Sequence, residues 1–184
     1  MNLPDPAARY TNVAVALHWL IAVLIVTQLT LGWTMIEIPR EPVGVRAYWF
    51  NLHKSIGITI ALLVLVRLAW RWGHPAPPLP ATVPGWQRRA AATSHALLYV
   101  CLLGMPLAGF LGSTFSGYPI KYFGLTLPQW GYKSDELKSF FSAVHLGFAW
   151  VFMTLIALHA SAAIKHLLVD RDGVFWRMWP RASR

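Results

Sequence analysis

The order of apolar and polar positions divides the chain into four long apolar stretches joined by short polar or proline-rich connections. They run from about Val13 to Ile36, Tyr48 to Trp70, Ala90 to Phe115 and Phe140 to Val169. The hydrocarbon core of a bilayer is about 30 Å thick and takes about 20 apolar residues per helical crossing. Each stretch meets that length. The pattern therefore predicts an all-α, integral membrane four-helix bundle, a single membrane domain over residues 1–184 with spans 13–36, 48–70, 90–115 and 140–169. The first stretch reads as a retained span, since its apolar run is too long for a signal peptide and lacks a small-x-small cleavage site.

Between spans two and three, His74 to Gly85 carries Pro75, Pro77, Pro78, Pro80 and Pro84. That run cannot be helical and reads as a stiff extended loop. Between spans three and four, Ser116 to Ser134 mixes Gly, Pro and aromatic residues, and is expected at the membrane interface with a partly re-entrant path. Trp70, Trp72, Trp86, Trp176 and Trp179 would mark one water boundary, and Trp33, Trp49 and Trp130 the other. Span three holds Gly104, Pro106, Gly109 and Gly112. Its glycines either let helix backbones approach closely or make room for a bulky planar cofactor, and Pro106 can kink the span.

Composition agrees with this reading. Of 184 residues 56% are hydrophobic and 12% charged, with mean hydropathy +0.46. Disorder needs low hydrophobicity, and soluble domains carry about 25% charged residues. The single Cys101 excludes an internal disulfide. The net charge of +9 is unevenly placed. With four crossings, both termini share a side with the proline-rich loop. That side holds Arg9, Arg67, Arg71, Arg88, Arg89, Lys165, Arg171, Arg177, Arg181 and Arg184. The other holds Arg40, Arg46, Lys54, Lys121, Lys133 and Lys138, ten cations against six, while the acidic residues divide three against four. The bias predicts both termini in the cytoplasm, with lipid headgroups as counter-charges. A nucleic-acid partner is not expected, because no soluble module is left to carry a basic face, and no obligate protein partner is expected either.

The histidines carry the chemistry. Six of seven fall in or at the ends of the spans: His18, His53, His95, His145, His159 and His166. Ionisable side chains at membrane depth are costly and mark functional sites. His74, in the proline-rich loop, is explained by solvation. His145 and His159 lie 14 residues apart on span four. At 1.5 Å per residue they differ in depth by about 21 Å, and nearly four whole turns place both on one side of the helix. His18 matches the deeper level and His53 the opposite one, giving the pairs His18 with His159 and His53 with His145. Two axial imidazoles facing each other across a bundle suit a haem iron, and two stacked haems would form an electron path across the bilayer. Zinc is less suited, since it gathers three or four ligands at one depth. A single haem, or a histidine-lined metal or proton transporter, remains open on spacing alone. His95 and His166 are candidates for hydrogen-bonding a quinone or passing it protons, or for facing water or headgroups; His95 could also replace a ligand of the deeper pair.

The segments LHWL around His18, LHKSIG around His53, the loop HPAPPLP, then FGLTLP, HASAAIKH and the terminal RMWPR resemble the bacterial cytochrome b561 family over nearly the whole chain. The resemblance implies four membrane helices, two b-type haems and the ligands His18, His53, His145 and His159, with His95 and His166 matched by histidines and the latter at the ubiquinone. The likeness within the family to superoxide:ubiquinone oxidoreductases (superoxide oxidases) implies oxidation of superoxide at the periplasmic face, reduction of ubiquinone, and residence in the bacterial inner membrane. Arg46, Lys54 and Lys121 are candidates for steering the superoxide anion, against a plainer role in headgroup contact. The alternative is a haem b anchor or relay subunit that passes electrons between a dehydrogenase and the quinone pool; its docking patch would be Ser116 to Lys138. No side chain need act as a nucleophile or general base, because the cofactor carries the chemistry.

Overall fold

The computed structural model describes residues 9–42 and 44–180, so Arg181 and Arg184 of the charge count lie outside the described residues. Four helices form the bundle: α1 (Asn12–Glu37), α2 (Val45–Gly73), α3 (Gly85–Thr114) and α4 (Asp135–Lys165). All four are long and apolar enough to cross a membrane. Each starts or ends beyond the apolar stretch that predicts it, because polar end turns are set by capping and not by hydropathy. Thr11 Oγ1 accepts from the Ala14 amide to start α1. Ser134 Oγ accepts from Leu137 N to start α4, with Asp135 and Glu136 in the first turn, where the helix dipole favours them. α3 begins at Gly85, so Trp86 lies on a helix, and it continues through Pro106.

The bundle reverses the pattern of a soluble protein. Val26, Val100, Leu107 and Leu158 are exposed on the outside, whereas Gln28, Ser55 and Thr114 are buried. With lipid outside, helix association depends on close packing and internal hydrogen bonds instead of the hydrophobic effect. Ile21, Ile60 and Val64 pack α1 against α2, and Cys101, Met105, Phe152 and Leu155 pack α3 against α4. At Gly104 a Cβ would lie 2.6 Å from Phe148 Cζ, so this glycine admits the Phe148 ring. Arg67, towards the C-terminal end of α2, is held by the Ala14 carbonyl at 2.6 Å and the Tyr99 hydroxyl at 3.2 Å.

The connection after α3 contains a small hairpin. β1 (Lys121–Tyr122) and β2 (Leu125–Thr126) pair antiparallel around Phe123-Gly124, both at positive φ as a tight two-residue hairpin turn demands. The hairpin folds over α2. Phe123 N donates to Ser55 Oγ at 2.9 Å, and Tyr122 Oη meets Thr59 Oγ1 at 3.2 Å. At the other end, α4 passes into a π-helical turn, His166–Asp170, and Arg171 and Gly173 then adopt positive φ. The following segment returns to the bundle. The Trp19 indole donates to the Met178 carbonyl at 2.8 Å, and buried Arg177 donates to the Pro77 carbonyl at 2.6 Å, fastening the proline-rich loop. Burial lowers the Arg177 pKa, while Tyr10 and Asp172 oppose that shift.

Candidate functional site

The helices bring the histidines together at two levels. Near the chain termini, His18 on α1 faces His159 on α4 with ring centroids 6.3 Å apart and planes at 73°. Near the hairpin, His53 on α2 faces His145 on α4 at 6.1 Å and 74°. Two imidazoles on opposite sides of one metal ion, with metal–nitrogen bonds of about 2 Å and ring centres about 1.1 Å further out, have centroids about 6.2 Å apart. Both pairs stand at that separation. His95 on α3 touches His159 edge-on at 5.4 Å, closer than two such ligands would stand.

The surroundings fit a flat macrocycle held between the hairpin-end rings. A cavity of about 910 Å³ is lined by His53, His145, Gln28, Gly57, Gly109 and Phe152. His145 Nδ1 lies 2.8 Å from the Met105 carbonyl. A carbonyl only accepts, so Nδ1 carries the proton and Nε2 is the nitrogen left for a metal. Glycines make room for both rings. At Gly109 a Cβ would sit 2.9 Å from His145 Nδ1, and at Gly32 it would sit 3.2 Å from His53 Cε1. Gly104 and Gly109 both let an α4 side chain approach α3 closely, Phe148 at the first and His145 at the second.

Five cations line the same cavity: Arg40, Arg46, Lys54, Lys121 and Lys138. Three of them are the candidates from the sequence. Arg46 is partly committed, donating to the Ile38 carbonyl at 2.6 Å with its guanidinium over the Phe50 ring. Lys121 is brought there by the hairpin, whose carbonyl at that residue accepts from Ser55 Oγ at 3.3 Å. Sequence reasoning missed Arg40 and Lys138 as neighbours of this cavity, since both read there only as loop-side charges.

At the terminal end, His166 is engaged with carboxylates. Its Nδ1 lies 2.7 Å from Asp172 Oδ2 and 3.2 Å from Asp170 Oδ2. Asp170 also pairs with Lys165 at 2.5 Å, and Asp172 Oδ1 accepts from Val174 N. The π turn gathers these groups, a feature without a sequence signal. His74 stacks on Trp70 at 4.0 Å and is exposed.

A membrane bundle that opposes histidine rings in pairs across its core is the scaffold of a membrane-bound cytochrome. The chain belongs to the prokaryotic cytochrome b561 family, whose model matches residues 9–181. "Cytochrome b561 homolog 2" of Escherichia coli strain K12 is 33% identical, covering 100% of this chain and 97% of that protein. A second Escherichia coli relative, "Cytochrome b561 homolog 1", is 27% identical over 94% of this chain and 98% of its own length. "Probable superoxide oxidase CybB" of Yersinia pestis is 26% identical over 94% of this chain and 97% of its own. The protein is accordingly a bacterial membrane electron-transfer protein of a family that binds haem b.

Proposed function

We propose that this protein is a di-haem b superoxide:ubiquinone oxidoreductase of the bacterial inner membrane, with both termini in the cytoplasm. The observation that carries the reading is the pair of histidine couples, 6.1 Å and 6.3 Å between rings, at two depths of one bundle. His53 and His145 hold the periplasmic haem, and His18 and His159 the cytoplasmic one. Bound there, haem b supplies reversible one-electron chemistry at each level of the membrane. The overall reaction balances as two superoxide ions releasing two electrons to become two dioxygen molecules, and ubiquinone gaining two electrons and two protons to become ubiquinol. The relative named "Probable superoxide oxidase CybB" supports the donor.

Each group of side chains has a defined part. Arg40, Arg46, Lys54, Lys121 and Lys138 set a positive potential where the cavity meets the hairpin, which draws a small anion towards His53 and His145, the upper pair, as distinct from the lower pair His18 and His159. At the opposite end His95 and His166 meet the quinone. The carboxylates of Asp170 and Asp172 engage His166 Nδ1 and fix the ring, leaving Nε2 as the ring nitrogen directed at the quinone.

The test is to supply purified protein with a superoxide source and ubiquinone, and to follow oxygen release and ubiquinol formation. The expected result is quinone-dependent oxygen release well above that with quinone alone; a rate equal to that control contradicts superoxide as the donor. In the same assay the double variant Lys54→Gln, Lys121→Gln should react about tenfold more slowly at low ionic strength. The gap should narrow as salt screens the remaining charges. A wild-type rate insensitive to salt would remove the steering role.

A further inference from the structure

The two rings of the upper pair are not supported alike. His145 has its second nitrogen fixed by the Met105 carbonyl. His53 does not: its Nδ1 is buried without a hydrogen-bond partner among the described residues. Metal-ligating histidines almost always donate their second N–H to an acceptor, which sets the ring's orientation and basicity. An acceptor of that kind stands close by. Gln28 on α1 is 5% exposed, its amide Nε2 donates to the His53 carbonyl at 2.7 Å, and its Oε1 is buried and, among the described residues, unpartnered. The unsatisfied donor and the unsatisfied acceptor therefore belong to two residues already joined through the main chain.

The local packing supports the match. Gly32 lies one turn beyond Gln28 on the same face of α1, and a Cβ there would be 3.2 Å from His53 Cε1 and 3.6 Å from Nδ1. The Nδ1 edge of the ring is thus turned towards the α1 face that carries Gln28. On α2, a Cβ at Gly57 would lie 3.2 Å from Gln28 Nε2, so this glycine gives the amide its space. A buried amide in an apolar span is costly unless its groups are used.

We infer that Gln28 is a positioning residue for the haem ligand His53, accepting the ring Nδ1–H at Oε1 while its Nε2 holds the His53 carbonyl. This second bond uses Nδ1 and leaves Nε2 of His53 for the iron. By accepting the proton-bearing edge, Gln28 makes the imidazole more electron-rich, which favours the oxidised, more highly charged iron. The inference rests on His53 being a haem ligand, as proposed above.

Redox titration of the haem absorbance in the purified holoprotein tests it. Gln28→Met keeps the side-chain length and removes the acceptor. One of the two midpoint potentials should rise, by about the 59 mV that corresponds to a tenfold change for one electron, while the other stays. Gln28→Glu restores an acceptor and should bring that potential back to the wild-type value or below it. Unchanged potentials in Gln28→Met, or equal shifts in both variants, overturn the inference. If Gln28→Met loses one haem, retention of both in Gln28→Glu supports the role and loss in both variants overturns it. His53→Ala separates ligation by His53 from its support by Gln28. Loss of one haem there leaves the ligand assignment standing whatever Gln28 does, and retention of both removes that assignment itself.

Discussion

Replacing His53 or His145 by Ala should leave a folded protein with one haem in place of two. The two rings face each other at 6.1 Å, and each comes from a different helix, so removal of either leaves a single ligand on one side. The remaining pair is untouched, because His145 and His159 are separated by 14 residues, about 21 Å along α4. The same logic predicts that His18→Ala or His159→Ala removes the other haem. His95→Ala should retain both, since His95 stands at 5.4 Å from His159, inside the spacing of opposed ligands. Haem content and redox titration of the purified variants give the answer. Loss of neither haem in His53→Ala and His145→Ala refutes the upper pairing, and loss of a haem in His95→Ala refutes the lower one.

Gly109→Ala should empty the same upper site without touching a ligand. On helix propensity alone the change is favourable by about 1 kcal/mol, since Ala is the better helix former. The geometry decides against it. The new methyl carbon would sit 2.9 Å from His145 Nδ1 and 3.0 Å from Cε1, nearer than such atoms approach. The ring must swing away, and its hydrogen bond to the Met105 carbonyl is lost with it. Gly147→Ala is the matched control. It lies on α4 two residues after His145, and a Cβ there meets nothing within 4 Å among the described residues. The expected result is a haem content near half of wild type for Gly109→Ala and unchanged for Gly147→Ala. Full haem in both variants would show that His145 does not depend on this contact.

Much of this arrangement is legible in the sequence, for reasons particular residues make plain. The four spans follow from their apolar length. The two histidine levels follow from the 14-residue spacing on α4, because helical rise and period convert sequence separation directly into depth and facing. Long-range details are less visible. The hairpin at Lys121–Thr126 lies in a segment with no alternating pattern, and Phe123, an aromatic residue at positive φ, gives no hint of its turn. That hairpin is what carries Lys121 to the cavity. Gln28 reads in the sequence only as a polar interruption, since its meaning depends on which α2 groups lie opposite. The π turn at His166–Asp170 likewise has no periodic signature. It sets Asp170 and Asp172 around His166, where simple helical phase would only have placed His166 two turns beyond His159.

Two separate haem sites in one chain underlie every role assigned to these residues. The most direct measurement is the ratio of haem b to polypeptide in the purified protein, from pyridine haemochrome absorbance against amino-acid analysis. Two histidine couples, each at the spacing of opposed axial ligands, predict two haems per chain. A ratio of one, in protein purified with its haem intact, would contradict that count.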